Sequence, residues 1–436
     1  MKAQGIAIFW FRRDLRLADN AGLYHALNSG KPVVPVFIFD TDILDDLPNK
    51  ADKRVAFIRD ALIGIQKKLK ELGSSLYVLH GKPLDCFKEL METFPITGVY
   101  TNHDYEPYAT ERDKNIAAFL KEQNIAFHTF KDQVIFEKNE VVKDNRDPYT
   151  VYTPYSKKWK EKLNSFYIES YPTEKYYSNF FRFKPRRIPS LEALGFEKIN
   201  YWTVAPRLNK QTLDDYKTQR DFPALDSTTH LSVHLRFGTI SIRKLVRDAK
   251  GESEDFINEL IWREFFQMIL WHFPRVVNSS FKEEYNNIAW RNNEKEFELW
   301  CNGQTGYPMV DAGIRELNET GYMHNRVRMV VASFLTKDLL IDWRWGEAYF
   351  AEKLLDYDLA ANNGNWQWAA GCGCDAAPYF RVFNPQLQLE KFDRELKYVR
   401  KWVPEYDTLE YAQPIVDHAA AKERCMKAYK AALRKE

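Results

Sequence analysis

The sequence contains few cysteines, no excess of charge of either sign and no long hydrophobic run. Its five cysteines are scattered and odd in number, which predicts free thiols in a reducing cytoplasm and argues against a disulfide framework. The 63 basic residues nearly balance the 61 acidic residues, so any surface for nucleic acid is expected to be a local patch. No run approaches the roughly 18 consecutive apolar residues of a membrane span, and we expect no membrane association.

Two common ligand signatures are also missing. Cys372 and Cys374 are separated by one residue, and no histidine or second cysteine pair stands near them in the sequence. This is not the spacing of a zinc pair, so we expect no metal site. The turn after the first apolar run reads Phe11-Arg12-Arg13-Asp14 and lacks the glycines of a dinucleotide fingerprint. A pocket at the carboxyl ends of parallel strands remains open on topology alone.

Aromatic residues are abundant: the chain has 29 Phe, 24 Tyr and 12 Trp, which make up 15% of its residues. The tryptophans are concentrated in the second half of the chain, from Trp262 to Trp402. A hydrophobic core does not need so many tryptophans. We therefore expect some of them to use their π faces in function.

Short apolar runs alternate with helical patterns in the first part of the chain. This alternation predicts an α/β domain over residues 1–130, with a doubly wound parallel sheet buried on both faces. The predicted strands are 6–11, 33–39, 75–80, 98–101 and 125–130, and the predicted helices lie near 21–28, 53–72, 84–93 and 109–123.

The rest of the chain divides into a connector and a helical domain. Over residues 131–197 the periodicity decays and prolines recur, as in a long ordered connector. Over residues 198–436 the periodicity is helical almost throughout, which predicts an all-α domain. The clearest helical segments are 255–272, 307–320, 325–340 and 345–359.

Two helical segments combine charge with aromatic or sulfur side chains. On a helix, Glu259, Trp262 and Arg263 share a face and would suit a flat polar ligand such as a base. An amphipathic helix with a satisfied salt bridge explains the same pattern. Asn325, Arg328 and Met329 also share a face, which indicates either a buried polar site or ordinary helix surface. Arg326 points elsewhere and could meet a phosphate.

Two further segments are candidates. Asp358, Asn362 and Trp366 are spaced by four residues, in a stretch so rich in Asp, Asn and Trp that it favours a functional site, because buried polar groups need partners. The hydroxyl residues at 227–229 precede a helical pattern at 231–236 and predict an N-cap. Backbone N–H groups at such a helix start could also meet a phosphate.

Together these segments resemble the photolyase/cryptochrome family over nearly the whole chain. The resemblance rests on Trp10-Phe11-Arg12-Arg13-Asp14-Leu15-Arg16, on residues 259–265 and on the stretch from Thr305-Gly306-Tyr307-Pro308 to Phe380-Arg381-Val382-Phe383-Asn384-Pro385. Within the family the sequence is most similar to the class I DNA photolyases that repair cyclobutane pyrimidine dimers. His324-Asn325-Arg326 lacks the paired histidines of the (6-4) photolyases, and Met329 stands where the DASH cryptochromes typically have Gln.

The resemblance implies a deoxyribodipyrimidine photolyase in which light excites reduced FAD, and an electron passes to a pyrimidine dimer flipped out of DNA. The implied dimer contacts are Glu259, Asn325 and Met329, with Trp262 and Trp368 as aromatic walls. The implied FAD-binding residues are Tyr216, Thr228, Thr229, Ser232, Arg263, Asn325, Arg328, Asp356, Asp358 and Asn362. The implied DNA-binding residues are Arg220, Arg263, Arg326 and Arg381, and the implied electron-transfer chain is Trp366, Trp343 and Trp290.

The family also implies a possible second, light-harvesting chromophore on the α/β domain. Relatives that bind folate carry Asn-Glu shortly after Tyr-Glu, whereas Tyr105-Glu106 is followed here by Pro107-Tyr108-Ala109. A deazaflavin or a flavin is therefore favoured over folate, and the absence of any antenna chromophore stays an alternative. His230 stands where relatives commonly have Arg, which alters one expected contact near the phosphates. The family further implies a monomer.

Two rival functions remain at this point. A cryptochrome-type blue-light photoreceptor would use the same flavin and tryptophans, although Glu259, Asn325 and Met329 favour repair. A light-independent nucleic-acid-binding protein would have an empty pocket and no flavin absorbance.

Overall fold

The computed structural model describes residues 5–433 and contains five β-strands and eighteen α-helices in that range. The strands are β1 (Ile6–Phe11), β2 (Val33–Asp40), β3 (Tyr77–Gly81), β4 (Ile96–Asn102) and β5 (Ala126–Phe130). The first nine helices are α1 (Ala21–Leu27), α2 (Thr41–Leu44), α3 (Lys53–Glu71), α4 (Pro83–Thr93), α5 (Pro107–Glu122), α6 (Tyr152–Lys162), α7 (Lys210–Gln219), α8 (Ser232–Phe237) and α9 (Ile242–Ala249). The other nine are α10 (Glu254–His272), α11 (Glu294–Cys301), α12 (Pro308–Thr320), α13 (Asn325–Ser333), α14 (Trp343–Lys353), α15 (Leu359–Ala370), α16 (Pro385–Phe392), α17 (Lys397–Trp402) and α18 (His418–Ala432).

Internal contacts divide the chain into two compact units. The first, called here the sheet unit, comprises residues 1–137, 162–208 and 230–250. The second, the helical unit, comprises residues 138–161, 209–229 and 251–436. Each unit gathers separate stretches of the chain, and residues of the predicted connector fall in both. The predicted linear boundaries at residues 130 and 197 stay a prediction.

The five strands form one parallel sheet in the order β3-β2-β1-β4-β5. Ile8 in the central strand lies opposite Val34 on one side and Val99 on the other. Every residue of β1 and β2 is buried, because helices cover both faces of a doubly wound sheet and its strands are then continuously apolar. The predicted fold of this unit is confirmed. The strand order reverses between β1 and β4, where such sheets typically bind ligands.

The helical unit has a separate core rich in aromatic and branched residues. Trp300, Phe334, Leu335 and Ile341 are fully buried in it, and a π-helical turn, Phe334–Asp338, continues α13. Most of its helices begin with an Asn, Asp or Ser whose side chain accepts a backbone N–H, as Ser253 does for α10. Such caps satisfy donors that the helix leaves free. The predicted all-α architecture is confirmed.

Two local predictions are wrong. The helix predicted over 345–359 ends at Lys353, because Asp358 caps a new helix, α15, by accepting the N–H of Ala361. The predicted hydroxyl N-cap also fails: α8 begins at Ser232, so Leu231 occupies the cap position and has no side-chain acceptor.

The sequence predicts no disulfide framework, no metal site and no membrane span, and the described residues can be examined for each. All five cysteines are free. Between residues 5 and 433, no group of three or more His, Cys, Asp or Glu side chains is arranged to hold a metal ion. Within the same range, no helix has the length and hydrophobicity needed to cross a membrane.

Candidate active site

A cavity in the helical unit brings together residues from two separate segments of the sequence, 325–332 and 350–369. Its atom-free space is about 600 Å³, and its walls come from α13, α14, α15 and the turn before α15. Eight predicted site residues line it: Asn325, Arg328, Met329, Asp356, Asp358, Asn362, Trp366 and Trp368. The convergence follows from helical spacing, which places residues three and four apart on one face.

The start of α13 orients the first of these segments. His324 caps the helix by accepting the N–H of Arg326 on its Nδ1 atom, at 3.2 Å. With the first turn fixed in this way, Asn325, Arg328 and Met329 all reach the cavity. Arg326 is not among the residues that line the cavity, although its Nη1 atom lies 3.8 Å from the Met329 sulfur.

Arg328 and Asp356 form an ion pair at the cavity wall. Arg328 Nη2 donates to both carboxylate oxygens of Asp356, at 3.0 and 3.2 Å, and its Nε donates to the carbonyl oxygen of Met323 at 2.7 Å. Burial opposes the charge of Arg328, but the Asp356 carboxylate outweighs burial and raises the guanidinium pKa. The pair therefore remains charged, and it presents fixed polar groups to a ligand in the cavity.

Asn362 is held by a residue that the sequence analysis missed. Its amide nitrogen donates to the backbone oxygen of Glu347 at 3.0 Å and to Glu347 Oε1 at 2.9 Å. Burial raises the pKa of Glu347, and the Asn362 hydrogen bond opposes that rise. The amide nitrogen is thus engaged, which leaves the carbonyl oxygen of Asn362 as the acceptor available to a ligand. Glu347 carries no spacing signal that links it to Asn362, since it belongs to another helix.

The close packing of α10 against α15 depends on one glycine. A Cβ atom on Gly364 would lie 2.1 Å from the ring of Phe266, so a larger residue there would force the helices apart. This contact places Glu259 and Trp262, one to two turns earlier on α10, on a helix that touches the cavity-lining helix.

Trp262 is covered on one face by an aromatic partner that the sequence analysis also missed. The ring of Tyr152 stacks on it with centroids 3.6 Å apart and an interplanar angle of 3°. Phe266 lies offset from the same ring system at 5.6 Å. Tyr152 is fixed in turn, because its hydroxyl donates to the carbonyl oxygen of Asn258 at 2.9 Å. Trp262 is therefore rigidly oriented and half-buried.

Glu259 pairs with Arg220, the residue that follows α7. Arg220 Nη1 donates to Glu259 Oε1, and about a third of each side chain is exposed. Burial raises the pKa of Glu259 above its ordinary value, and the Arg220 guanidinium opposes that rise. Arg263 lies half-buried on the same helix.

The remaining predicted residues lie on separate segments. Tyr216 is buried on α7 and meets Phe256 edge-on at 5.5 Å. The hydroxyl of Thr228 is 3.3 Å from that of Tyr322, and Thr229 is the next residue along the chain. Ser232 begins α8 and belongs to the sheet unit. Arg381 is exposed in the segment that leads to α16.

The three predicted electron-transfer tryptophans all belong to the core of the helical unit or its edge. Trp366 and Trp343 are buried in this core, and Trp290 is partly buried and packs against the core. Trp366 meets Phe350 at 5.0 Å and Trp300 at 6.3 Å, and Trp290 meets Tyr429 at 6.0 Å. Among the described residues, the indole N–H of Trp343 has no acceptor.

Comparison with known proteins matches two family descriptions to this chain. Residues 7–175 match the family described as DNA photolyase, and residues 256–410 match the family described as FAD binding domain of DNA photolyase. A deoxyribodipyrimidine photo-lyase of Halobacterium salinarum is 37% identical over 470 residues, which cover 95% of this chain and 97% of that protein.

Two solved structures are similar over nearly the full length. A bacterial class III photolyase from Agrobacterium tumefaciens has a TM-score of 0.88 and 32% identity, covering 100% of this chain and 99% of that one. An archaeal photolyase from Sulfolobus tokodaii, solved with two FAD molecules, has a TM-score of 0.84 and 36% identity, covering 98% of this chain and 100% of that one. The chain therefore belongs to the photolyase/cryptochrome family.

Proposed function

We propose that this protein is a deoxyribodipyrimidine photolyase that uses light to split cyclobutane pyrimidine dimers in DNA. The observation that carries the proposal is the cavity of the helical unit, where two separate polar segments converge within the part of the chain that matches the FAD-binding family. The similarity to curated deoxyribodipyrimidine photo-lyases supports the same reaction.

The residues around the cavity fit an isoalloxazine ring, which is flat, apolar on its faces and polar along its edges. Trp366 and Met329 offer apolar surface, while the Arg328–Asp356 pair and Asp358 offer charge and hydrogen bonds. Asn362 offers a carbonyl acceptor to an N–H group on the ring, because Glu347 holds its amide nitrogen. When bound and reduced, FAD supplies the light-excited electron donor of the reaction.

The phosphates and ribityl chain of FAD need hydroxyl and backbone donors outside the cavity. We assign these contacts to the hydroxyl groups of Tyr216, Thr228, Thr229 and Ser232. Arg263 and Asn325 complete the FAD-binding set. Hydroxyl and N–H groups near a helix start are suited to phosphate oxygens, because they add hydrogen bonds to the favourable helix dipole.

Glu259, Asn325 and Met329 are proposed to hold the flipped dimer. A protonated Glu259 can donate a hydrogen bond to a dimer carbonyl, and such a bond strengthens as the carbonyl gains negative charge. Burial favours that protonated form because it raises the pKa of Glu259. Trp262 and Trp368 supply the aromatic walls, with Tyr152 fixing the orientation of Trp262.

DNA is proposed to be held at its backbone by a few arginines, as the balanced net charge requires. The candidates are Arg220, Arg263, Arg326 and Arg381. Phosphate contacts of this kind position the duplex and carry no sequence information. Trp366, Trp343 and Trp290 are proposed to deliver the electrons that restore reduced flavin.

A flavin or deazaflavin is proposed as a second chromophore at the carboxyl edge of the sheet. The guanidinium groups of Arg12 and Arg112 each lie 4.9 Å from the centre of the Trp10 ring at this edge. Arginine stacking on an aromatic face suits recognition of a planar anionic ligand. The Sulfolobus tokodaii relative with two FAD molecules supports this class of chromophore. Chromatography of the chromophores released from purified protein, quantified per protein chain, tests the assignment; finding folate, or a single equivalent of FAD and no other chromophore, would contradict it.

Repair of damaged DNA tests the proposed function. Protein with chemically reduced flavin is mixed with dimer-containing DNA, illuminated or kept dark, and the restored thymines are counted. We expect restoration only in the light. Photoreduction of the flavin without dimer splitting would favour the photoreceptor alternative. The monomeric state and the cytoplasmic location stay predictions.

A further inference from the structure

Two adjacent residues after α7 make ion pairs to two different helices. Arg220 pairs with Glu259 on α10, and Asp221 pairs with Arg326 on α13. Glu259 and Arg326 are the residues proposed to meet the dimer and a DNA phosphate. Two consecutive residues thus supply a counter-charge to each of them: Arg220 to Glu259 and Asp221 to Arg326.

Arg326 is held in one orientation by three contacts, one of which brings its Nη1 atom to 3.8 Å from the Met329 sulfur. Its Nη2 atom donates to Asp221 Oδ1 at 2.8 Å, and its guanidinium lies 4.4 Å from the centre of the Phe392 ring. Phe222, the residue after Asp221, packs against the same ring at 6.1 Å. Among the described residues, the Nε atom of Arg326 is buried without an acceptor. The guanidinium is therefore oriented but has hydrogen-bonding capacity left over.

The two partners differ in exposure. The side chain of Arg326 is 18% exposed, whereas that of Asp221 is 43% exposed. A carboxylate and a phosphate offer a guanidinium the same kind of anionic oxygen acceptors. A phosphate that approaches Arg326 from solvent therefore meets the more exposed member of the pair, Asp221, and must replace it.

We propose that Asp221 is an intramolecular substitute for a DNA phosphate, which orients Arg326 in the free protein and competes with DNA for it. The inference rests on the proposed function, because that function assigns Arg326 to the DNA backbone. Solvent-exposed ion pairs contribute only about 0.2–1 kcal/mol, so the exchange costs little once DNA is bound. Asp221 thereby weakens the backbone contact with DNA, whether the DNA is damaged or undamaged.

Substitution of Asp221 tests the competition. The variant Asp221→Asn keeps the shape of the side chain and removes its charge, and binding to undamaged duplex DNA is measured in the dark by fluorescence anisotropy. We expect binding about two- to fivefold tighter than that of the wild type, the equivalent of one exposed ion pair. The matched control is Asp214→Asn, which removes one charge from an exposed position on α7.

The same comparison is repeated in an Arg326→Ala background. If Asp221 acts through Arg326, Asp221→Asn should then tighten binding no more than Asp214→Asn does. Equal gains from Asp221→Asn in both backgrounds would overturn the proposal, since they would reflect net charge alone. Binding by Asp221→Asn that is no tighter than that of Asp214→Asn would overturn it as well.

Folding is monitored by flavin content and by the midpoint of thermal unfolding. If Asp221→Asn fails to fold, Asp221→Ser takes its place; failure of both would overturn the proposal, because an exchangeable counter-ion is not required for folding. Dimer repair by the wild type in the light is scored separately. Absence of repair would contradict the proposed function, while the binding comparison on undamaged DNA would still decide the role of Asp221.

Discussion

Charged side chains are used differently in the sheet unit and in the helical unit. In the sheet unit, Arg243 donates to Asp132 at 2.7 Å and to Asp19 at 2.9 Å, and Arg16 also donates to Asp132 at 2.7 Å. The side chain of Arg243 is 5% exposed and that of Asp132 is fully buried. In the helical unit, the Arg220–Glu259 pair is about one-third exposed.

This difference separates a structural role from a functional one. A buried network of paired charges cannot exchange a partner without leaving an uncompensated charge, which is costly. A half-exposed pair loses little when a ligand replaces one member. We infer that the buried pairs of Arg16 and Arg243 with Asp132 hold the fold of the sheet unit, and that the partly exposed Arg220–Glu259 pair is available to substrate.

Removing a charge from the buried network should have the largest effect. We expect Arg243→Met to lower the free energy of unfolding by about 3–5 kcal/mol, because it leaves Asp132 and Asp19 with less compensation. Chemical denaturation monitored by far-UV circular dichroism measures the loss. The control Lys244→Ala removes an exposed pair with Asp248 and should change stability by less than about 0.5 kcal/mol. A loss as small as that of the control would contradict the structural role.

The same network should also respond to acid. Burial raises the pKa of Asp132, but Arg16 and Arg243 outweigh burial and leave it below its ordinary value. The stabilisation from Asp132 is therefore present above about pH 4 and is lost as the pH falls through the lowered pKa. Between pH 5 and pH 2, the wild type should lose more stability than Arg243→Met loses.

Two buried tryptophans provide a comparison inside the helical unit. Trp366 is 2% exposed and Trp300 is 0% exposed, and their rings are 6.3 Å apart. We expect Trp366→Phe to abolish light-driven reduction of oxidised FAD while chemically reduced protein still repairs dimers. Transient absorption of the flavin measures this. Trp300→Phe removes a ring of the same kind from the core and should leave photoreduction intact. An equal loss of photoreduction in both variants would show that the effect comes from disturbed core packing and not from electron transfer through Trp366.

Glu259 should affect repair by a smaller factor. We expect Glu259→Ala to lower the repair yield per photon about fivefold, the equivalent of one hydrogen bond of about 1 kcal/mol, with FAD still bound. Because the donor is the protonated carboxyl, the yield of the wild type should rise as the pH falls through the raised pKa of Glu259. In Glu259→Gln, which always carries N–H donors, that pH dependence should disappear. Glu254→Gln, an exposed change on the same helix, should leave the yield and its pH profile unchanged.

Arg326 should give the smallest change. We expect Arg326→Ala to weaken DNA binding and to reduce the slope of log affinity against log salt by about 0.9, the contribution of one phosphate contact. The slope is measured by titrating DNA binding at salt concentrations between about 50 and 200 mM, the range over which phosphate contacts change the affinity strongly. An unchanged slope would contradict the phosphate contact and would mean that Arg326 has a structural role, like the buried ion pairs of the sheet unit.

The sequence was sufficient to predict the structure of those segments whose conformation follows from the local pattern of polar and apolar residues. β1 and β2 are buried on both faces, so they read as unbroken apolar runs. The cavity-lining residues of α13 were predictable because helical spacing alone sets their common face. The helix predicted over 345–359 failed because its polar and apolar pattern does not reveal that Asp358 caps a new helix.

Long-range partners were not predictable in this way. Asp221 lies 105 residues before Arg326, and Glu347 lies 15 residues before Asn362 on a different helix. Tyr152 reaches Trp262 from a segment that the sequence pattern assigns to a connector. Such pairs depend on tertiary packing, which carries no periodic signal. They are also the contacts that orient the proposed site residues.

The wavelength dependence of repair tests the central claim most directly. Dimer-containing DNA is incubated with the reduced protein, and the rate at which thymines are restored is measured at a series of wavelengths and in the dark. Repair that follows the absorbance of the bound chromophores and vanishes in the dark is the predicted result. Restoration in the dark, or none at any wavelength that the flavin absorbs, would contradict light-driven repair by this protein.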